Sequence, residues 1–173
     1  MKQLVLIRHA KSSWRDPALT DLMRPLKKRG LNDAREMAER MDQKGINVDR
    51  ILMSPARRTV ETLELMTQET GFGRDIADMV PDLYTFSYED ILLFLRGADD
   101  QYDSLGVIGH NPAITDVVNF LCLKEIHNVP TCGVAVLQLD IKSWSGLRAG
   151  AAELTFYDYP KNDLQLEGVD RET

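Results

Sequence analysis

Apolar residues fall into two patterns along the chain, and the patterns alternate. Continuous or nearly continuous apolar runs lie at residues 4–7, 48–53 and 105–109, the first being Leu4-Val5-Leu6-Ile7. Short runs without polar alternation predict strands covered on both faces, as in a parallel sheet. Residues 134–140 and 152–157 predict two more strands, joined by a connection containing Trp144 and Gly146.

Helical spacing fills the intervals. Over residues 31–44, Leu31, Ala34, Ala38 and Met41 form one stripe opposite charged residues, and Gly45 supplies a stop. At Ser54-Pro55 the second strand breaks into a helix start, with Ser54 as N-cap, Pro55 in the first turn and Ala56, Val60 and Leu63 facing inward. Within residues 71–103 a short helix is expected, opened by Ser87 and Asp90 as a capping box and stopped at Gly97. Asn111-Pro112 repeats the cap-and-proline start ahead of the stripe Ile114, Val117, Val118 and Leu121. Strands alternating with helices predict an α/β fold, a three-layer α/β/α sandwich around a mostly parallel central sheet. The length of 173 residues suits one domain spanning 1–173.

One connection breaks this economy. From Lys11 to about Arg29 the chain is a polar loop with turn signals at Asp16-Pro17 and Arg24-Pro25, directly after Arg8-His9. Loops of that length in compact domains tend to be functional.

Composition narrows the classes. With 43% hydrophobic and 28% charged residues, and no apolar run of membrane-spanning length, the chain reads as a globular protein that does not span a bilayer. Its beginning lacks signal-peptide character, so a cytoplasmic location is expected. A net charge of −6 argues against generic nucleic-acid binding. Lys27-Lys28-Arg29, the compact basic run, reads as a solvated face. Cys122 and Cys132 lack metal or redox spacing and read as packing thiols.

The candidate chemistry stands at the strand ends. Arg8 and His9 follow the first strand, His110 follows the third, and Arg57 and Arg58 occupy the first turn after the second. Parallel strands would bring these groups to one edge of the sheet, where ligands bind in open α/β folds. Two arginines, two imidazoles and a helix start suit a phosphoryl group: the arginines orient its oxygens, and a neutral imidazole can attack phosphorus in line. Of the two first-turn arginines, Arg57 is taken as the functional one and Arg58 as a solvated residue. Asp82 reads as a turn carboxylate, His127 as a loop residue, and neither histidine pair has metal-ligand spacing.

These motifs resemble the histidine phosphatase superfamily, also called phosphoglycerate-mutase-like. Arg8-His9-Ala10 is similar to its first signature. Ser54-Pro55-Ala56-Arg57-Arg58 resembles its Ser-Pro-x-x-Arg helix start, with Arg57 assigned the functional place, and Gly109-His110-Asn111 its second histidine. Arg24-Pro25-Leu26, Pro81-Asp82-Leu83 and Pro130-Thr131 extend the resemblance to the SixA-type phosphohistidine phosphatase branch. The resemblance implies His9 as nucleophile, Arg8, Arg57 and His110 as phosphate-binding groups, and Asp82 as the best match for a general acid, with no cofactor or metal. It also implies an open, shallow pocket. The expected partner is a phosphohistidine-bearing protein. A small phosphorylated substrate, hydrolysed by a phosphomonoesterase of the same family, and a non-catalytic phosphate-binding module remain as alternatives. No nucleic-acid or membrane partner is expected.

Overall fold

A computed structural model describes residues 1–162 of the chain. The tail of the expected single domain, 163–173, lies outside the described residues.

Six strands form one sheet: β1 (Lys2–Arg8), β2 (Arg50–Met53), β3 (Ala77–Met79), β4 (Ser104–Gly109), β5 (Val134–Leu139) and β6 (Ala152–Asp158), in the order β3-β2-β4-β1-β5-β6. β3, β2, β4 and β1 run parallel, whereas β5 and β6 add to β1 as an antiparallel pair. The period of two along β1 sends its side chains to opposite faces. Leu4 and Leu6 join a core beneath α3 (Tyr88–Arg96) and α4 (Ala113–Cys122). Val5 and Ile7 join the core beneath α1 (Lys28–Gln43) and α2 (Arg57–Thr70). The result is the expected three-layer α/β/α sandwich, with apolar helix stripes covering both faces of the sheet.

Several boundaries differ from expectation for local reasons. β3 is only three residues long and half-exposed, so its Ala77-Asp78-Met79 carries no run long enough to read as a strand. α1 begins at Lys28, three residues before the expected start, and its Gly30 lies against the backbone of Lys11: a Cβ there would stand 2.2 Å from Lys11 O. Gly45, at φ +66°, ends that helix as expected. Neither strand-end helix starts as read. α2 opens at Arg57 with Ala56 as N-cap, and α4 opens at Ala113 with Pro112 as N-cap. Ser54 Oγ still accepts the Ala56 N–H at 3.2 Å and Asn111 Oδ1 the Thr115 N–H at 3.3 Å, so both serve the helix starts from outside while also engaging groups around the strand ends. Cys122 and Cys132 are free thiols, half-buried and buried respectively.

The loop between β1 and α1 is closed at its base. Ser13 N–H donates to Pro25 O at 2.8 Å, and Lys27 N–H donates to Lys11 O at 2.8 Å. Glu61 on α2 accepts the Leu26 N–H at 2.8 Å. The loop is thus held over the carboxyl ends of β1, β2 and β4.

Candidate active site

Strand register brings the two histidines together. Arg8 of β1 pairs with Gly109 of the adjacent parallel β4, so the next residues, His9 and His110, leave the sheet side by side. Their ring centroids are 5.3 Å apart, and His9 N–H donates to Gly109 O at 3.1 Å. Both are buried, on the floor of a cavity of about 400 Å³ also lined by Arg8, Lys11, Ser12, Trp14, Asp21, Arg24, Lys27, Arg58, Phe86, Asn111 and Thr131. This is the sheet edge where open α/β folds bind ligands.

Hydrogen bonding fixes the His9 tautomer. Its Nδ1 lies 2.7 Å from Ala10 O. A carbonyl can only accept, so Nδ1 carries the proton and Nε2 keeps its lone pair. Burial, then the charges of His110, Arg58 and Arg8, pulls the His9 pKa down to about 3 against the opposing Ala10 bond. The ring is therefore neutral at physiological pH. The Ala10 peptide is itself held: its N–H donates to Thr62 Oγ1 at 3.0 Å, and the Thr62 hydroxyl donates to Arg58 O at 2.7 Å.

His110 is tied on both sides. Arg58 Nη2 stands 3.3 Å from its Nδ1, and a guanidinium can only donate, so Nδ1 is the acceptor. Nε2 then carries the hydrogen and donates to Ser54 Oγ at 2.7 Å. Burial and the Arg58 charge lower the His110 pKa to about 4, with Asp21 acting in the opposite sense.

The arginine beside these rings is Arg58, not Arg57, which corrects the placement expected from the sequence. Arg58 is 1% exposed; it donates to Asp21 O at 2.7 Å and to Asp21 Oδ2 at 3.0 Å. Arg57 is exposed, does not line the cavity, and donates to Glu61 Oε1 at 2.7 Å one helical turn on. Counting Ser-Pro-x-x-Arg from Ser54 lands on Arg58, and Arg58 shares its helix face with Thr62, four residues later. Both signals were present in the sequence. Helix-end electrostatics alone does not distinguish two arginines in one turn.

Arg8 comes from the end of β1. Its Nη1 donates to Val129 O at 2.8 Å, and Asn111 Nδ2 donates to the same oxygen at 3.0 Å. Arg8 Nε and Arg58 Nε are buried N–H groups without an acceptor among the described residues. These unpaired donors leave uncompensated positive character beside the histidine rings.

Asp82 is the second corrected placement. It is exposed, borders a neighbouring cavity with Pro81, Tyr84 and Phe94, and does not line the cavity of the histidines. The carboxylate in the His9 cavity is Asp21, supplied by the long loop. Burial pushes its pKa up, but the Tyr84 hydroxyl, the Arg58 charge and hydrogen bonds from Arg24 and Arg58 outweigh this and hold it at about 2. Arg24 Nε reaches Asp21 Oδ1 at 3.0 Å, and Arg24 Nη1 donates to Ser12 Oγ at 2.8 Å. Asp21, Tyr84 and Thr62 escaped the sequence reading because each acts through a partner far away in the chain. The three-residue spacing of Asp21 and Arg24 was the available hint. Among the described residues no cluster of three or more His, Cys, Asp or Glu side chains is placed to hold a metal ion. His127 is exposed on a loop and does not line the cavity.

Known proteins resemble this chain in sequence and in fold. The sequence model of the histidine phosphatase superfamily (branch 1) matches residues 4–83, which carry Arg8, His9 and Arg58. An uncharacterized chloroplastic protein of Arabidopsis thaliana is 33% identical over 151 residues, 83% of this chain and 69% of its own. A Mycobacterium tuberculosis protein is 27% identical over 90% of this chain and its whole length. A structure from Agrobacterium tumefaciens, named for the phosphohistidine phosphatase SixA, superposes with a TM-score of 0.76 at 23% identity, over 92% of this chain and 98% of that one. A protein histidine phosphatase SixA complexed with tungstate gives 0.76 at 24% identity, over 91% and 97%. The fold is therefore phosphoglycerate-mutase-like with SixA-type dimensions, and the chain belongs to the histidine phosphatase superfamily, as an enzyme of the phosphatase class.

Proposed function

We propose that this enzyme hydrolyses phosphohistidine on a protein through a phospho-His9 intermediate, without a metal ion. The observation that carries the reading is the His9 ring itself. The bond of Nδ1 to Ala10 O leaves a neutral, unprotonated Nε2 beside Arg8 and Arg58.

In the first step the Nε2 lone pair attacks phosphorus while the bond from phosphorus to the substrate imidazole breaks. That imidazole, protonated beforehand on its far nitrogen, leaves as the neutral ring. Positive charge appears on His9, where the Nδ1–H bond to Ala10 O stabilises it. Arg8 and Arg58 supply the phosphoryl oxygens with fixed charge that needs no reorganisation, and His110, its Nδ1 bonded to Arg58 and its Nε2–H to Ser54, holds Arg58 in place. Water then attacks phosphorus, the P–Nε2 bond breaks, and phosphate leaves with both water protons while His9 returns to neutrality.

The choice of substrate rests on the proton donor. An alkoxide leaving group needs a general acid poised near neutrality. The carboxylate lining this cavity, Asp21, is held at about 2 and is ionised. Asp82 stands outside the cavity. A leaving imidazole removes the need for either. Tungstate in the SixA structure is a tetrahedral oxyanion, which fits a phosphoryl site of the same fold. The expected cytoplasmic location forms part of this proposal, supported by two cysteines that stand as free thiols.

The test is rapid quenching, without acid, of enzyme mixed with a labelled phosphohistidine protein, followed by mapping of the label in wild type and His9→Ala. Label on His9, lost in the variant together with turnover, is expected. Label elsewhere overturns the nucleophile assignment. Faster turnover of a panel of phosphate esters than of the phosphohistidine protein overturns the substrate.

A further inference from the structure

A second concave surface adjoins the catalytic cavity and shares Trp14 and Lys27 with it. This cleft of about 700 Å³ lies beside the long loop and is lined by Ser13, Trp14, Arg15, Pro25, Leu26, Lys27 and Lys28. Three of its seven lining residues are basic and none is acidic. The imbalance stands out in a chain of net charge −6. Arg15, Lys27 and Lys28 are exposed, and none of them is within ion-pair distance of a carboxylate among the described residues. Lys11, exposed at the mouth of the catalytic cavity, adds a fourth unpaired cation.

Trp14 marks where the two surfaces meet. Its side chain is 72% exposed, yet one face is stacked on the Arg24 guanidinium, 3.5 Å from the ring centroid. Arg24 is buried and held by Asp21 and Ser12, so the network that positions Arg58 also steadies this ring. A rigid, exposed aromatic ring beside unpaired cations is the composition of an anchor for a polypeptide segment of opposite charge.

We propose that this cleft docks an acidic segment of the protein that carries the phosphohistidine, next to the residue being dephosphorylated. The inference rests on the phosphohistidine reading and adds a partner chemistry to it: carboxylate side chains against Arg15, Lys27 and Lys28, with an apolar contact on Trp14. Small phosphorylated molecules would use the catalytic cavity alone.

The chain supplies its own reporter, because it contains two tryptophans and Trp144 is 0% exposed. A short glutamate-rich peptide without phosphate is titrated into the full-length enzyme while tryptophan fluorescence is followed. Saturable, salt-sensitive change in Trp14 emission is expected, with affinity about tenfold weaker in the double variant Arg15→Glu/Lys28→Glu. Hydrolysis of N-phosphoimidazole, which is too small to reach the cleft, stays within about twofold in that variant, which also shows that it folds. A neutral peptide of the same length that binds as well, or a single-stranded oligonucleotide that binds more tightly than the acidic peptide, overturns the proposal, as does absence of peptide binding. Peptide binding by an enzyme that fails to hydrolyse phosphohistidine leaves the cleft standing and removes the substrate assignment instead.

Discussion

Asp21 and Arg58 stand 37 positions apart and are joined twice, through the Asp21 backbone oxygen at 2.7 Å and its carboxylate at 3.0 Å. The pair couples the long loop to the helix that delivers Arg58 beside His110. Tyr84 donates a hydrogen bond to the same carboxylate, so three segments converge on one residue. Asp21 is a positioning residue in this geometry. Asp21→Asn should lower kcat/KM for phosphohistidine by about tenfold, the scale of lost outer-shell support. Vanadate affinity, which reports the oxyanion cradle, should weaken in parallel. Unchanged vanadate binding with impaired turnover would assign Asp21 a direct part in proton transfer.

The two arginines of the α2 first turn separate cleanly by partner. Arg58→Ala removes a buried cation beside both histidines and should reduce kcat by about 10²–10³-fold, as for loss of one preorganised oxyanion donor. Arg57→Ala removes an exposed pair with Glu61, whose other oxygen holds the loop at Leu26. It should stay within about threefold, since exposed pairs contribute roughly 0–1 kcal/mol. Asp82→Asn, outside the cavity, should match wild type. Steady-state assays of the three variants check the assignment, and an Arg57→Ala enzyme as damaged as Arg58→Ala would reverse it.

Both cavity histidines resist protonation, His9 to about pH 3 and His110 to about pH 4, through burial and the neighbouring arginine charge. In the unfolded chain a histidine takes its proton near pH 6.5. Between those values the unfolded state binds more protons than the native one, so stability falls as pH drops from about 6.5 toward 3 and is fully present above that window. Nitrogen-15 NMR of the histidine rings should accordingly show His9 with a fixed Nδ1–H tautomer and no titration between about pH 5 and 8. A midpoint near the ordinary imidazole value would remove the argument for a neutral nucleophile.

The sequence carried the strand ends well because chemistry and periodicity coincide there: an apolar run that stops at Arg8-His9, and another at His110, locate the edge of a parallel sheet. Register then fixes what periodicity cannot, since the contact of His9 with His110 follows from the pairing of Arg8 with Gly109. Ser54 has a second role that local pattern does not show: its hydroxyl accepts the Ala56 N–H at 3.2 Å and also a bond from His110 across 56 residues. Asp21 was illegible for a related reason. It sits in a loop without periodicity, and only the closure of that loop at Ser13–Pro25 and Lys11–Lys27 brings its carboxylate to the site.

That closure depends on Gly30, and two glycine substitutions can distinguish its effect from simple backbone strain. At Gly30 a Cβ would stand 2.2 Å from Lys11 O and 2.9 Å from Lys11 N, both backbone atoms two residues beyond His9. Gly30→Ala must push apart α1 and the loop base, costing about 1–3 kcal/mol as an overpacking change, and it should also lower activity by moving Arg24 and Asp21. At Gly45, φ is +66° and nothing lies within 4 Å of an added Cβ, so Gly45→Ala meets only left-handed strain of about 1 kcal/mol. Thermal melts should then show both variants destabilised, at about 2–4 °C per kcal/mol. Only Gly30→Ala should lose kcat/KM, measured well below its melting temperature. Equal activity in the two variants would mean that the loop does not need its anchor on α1 to present Asp21 to Arg58.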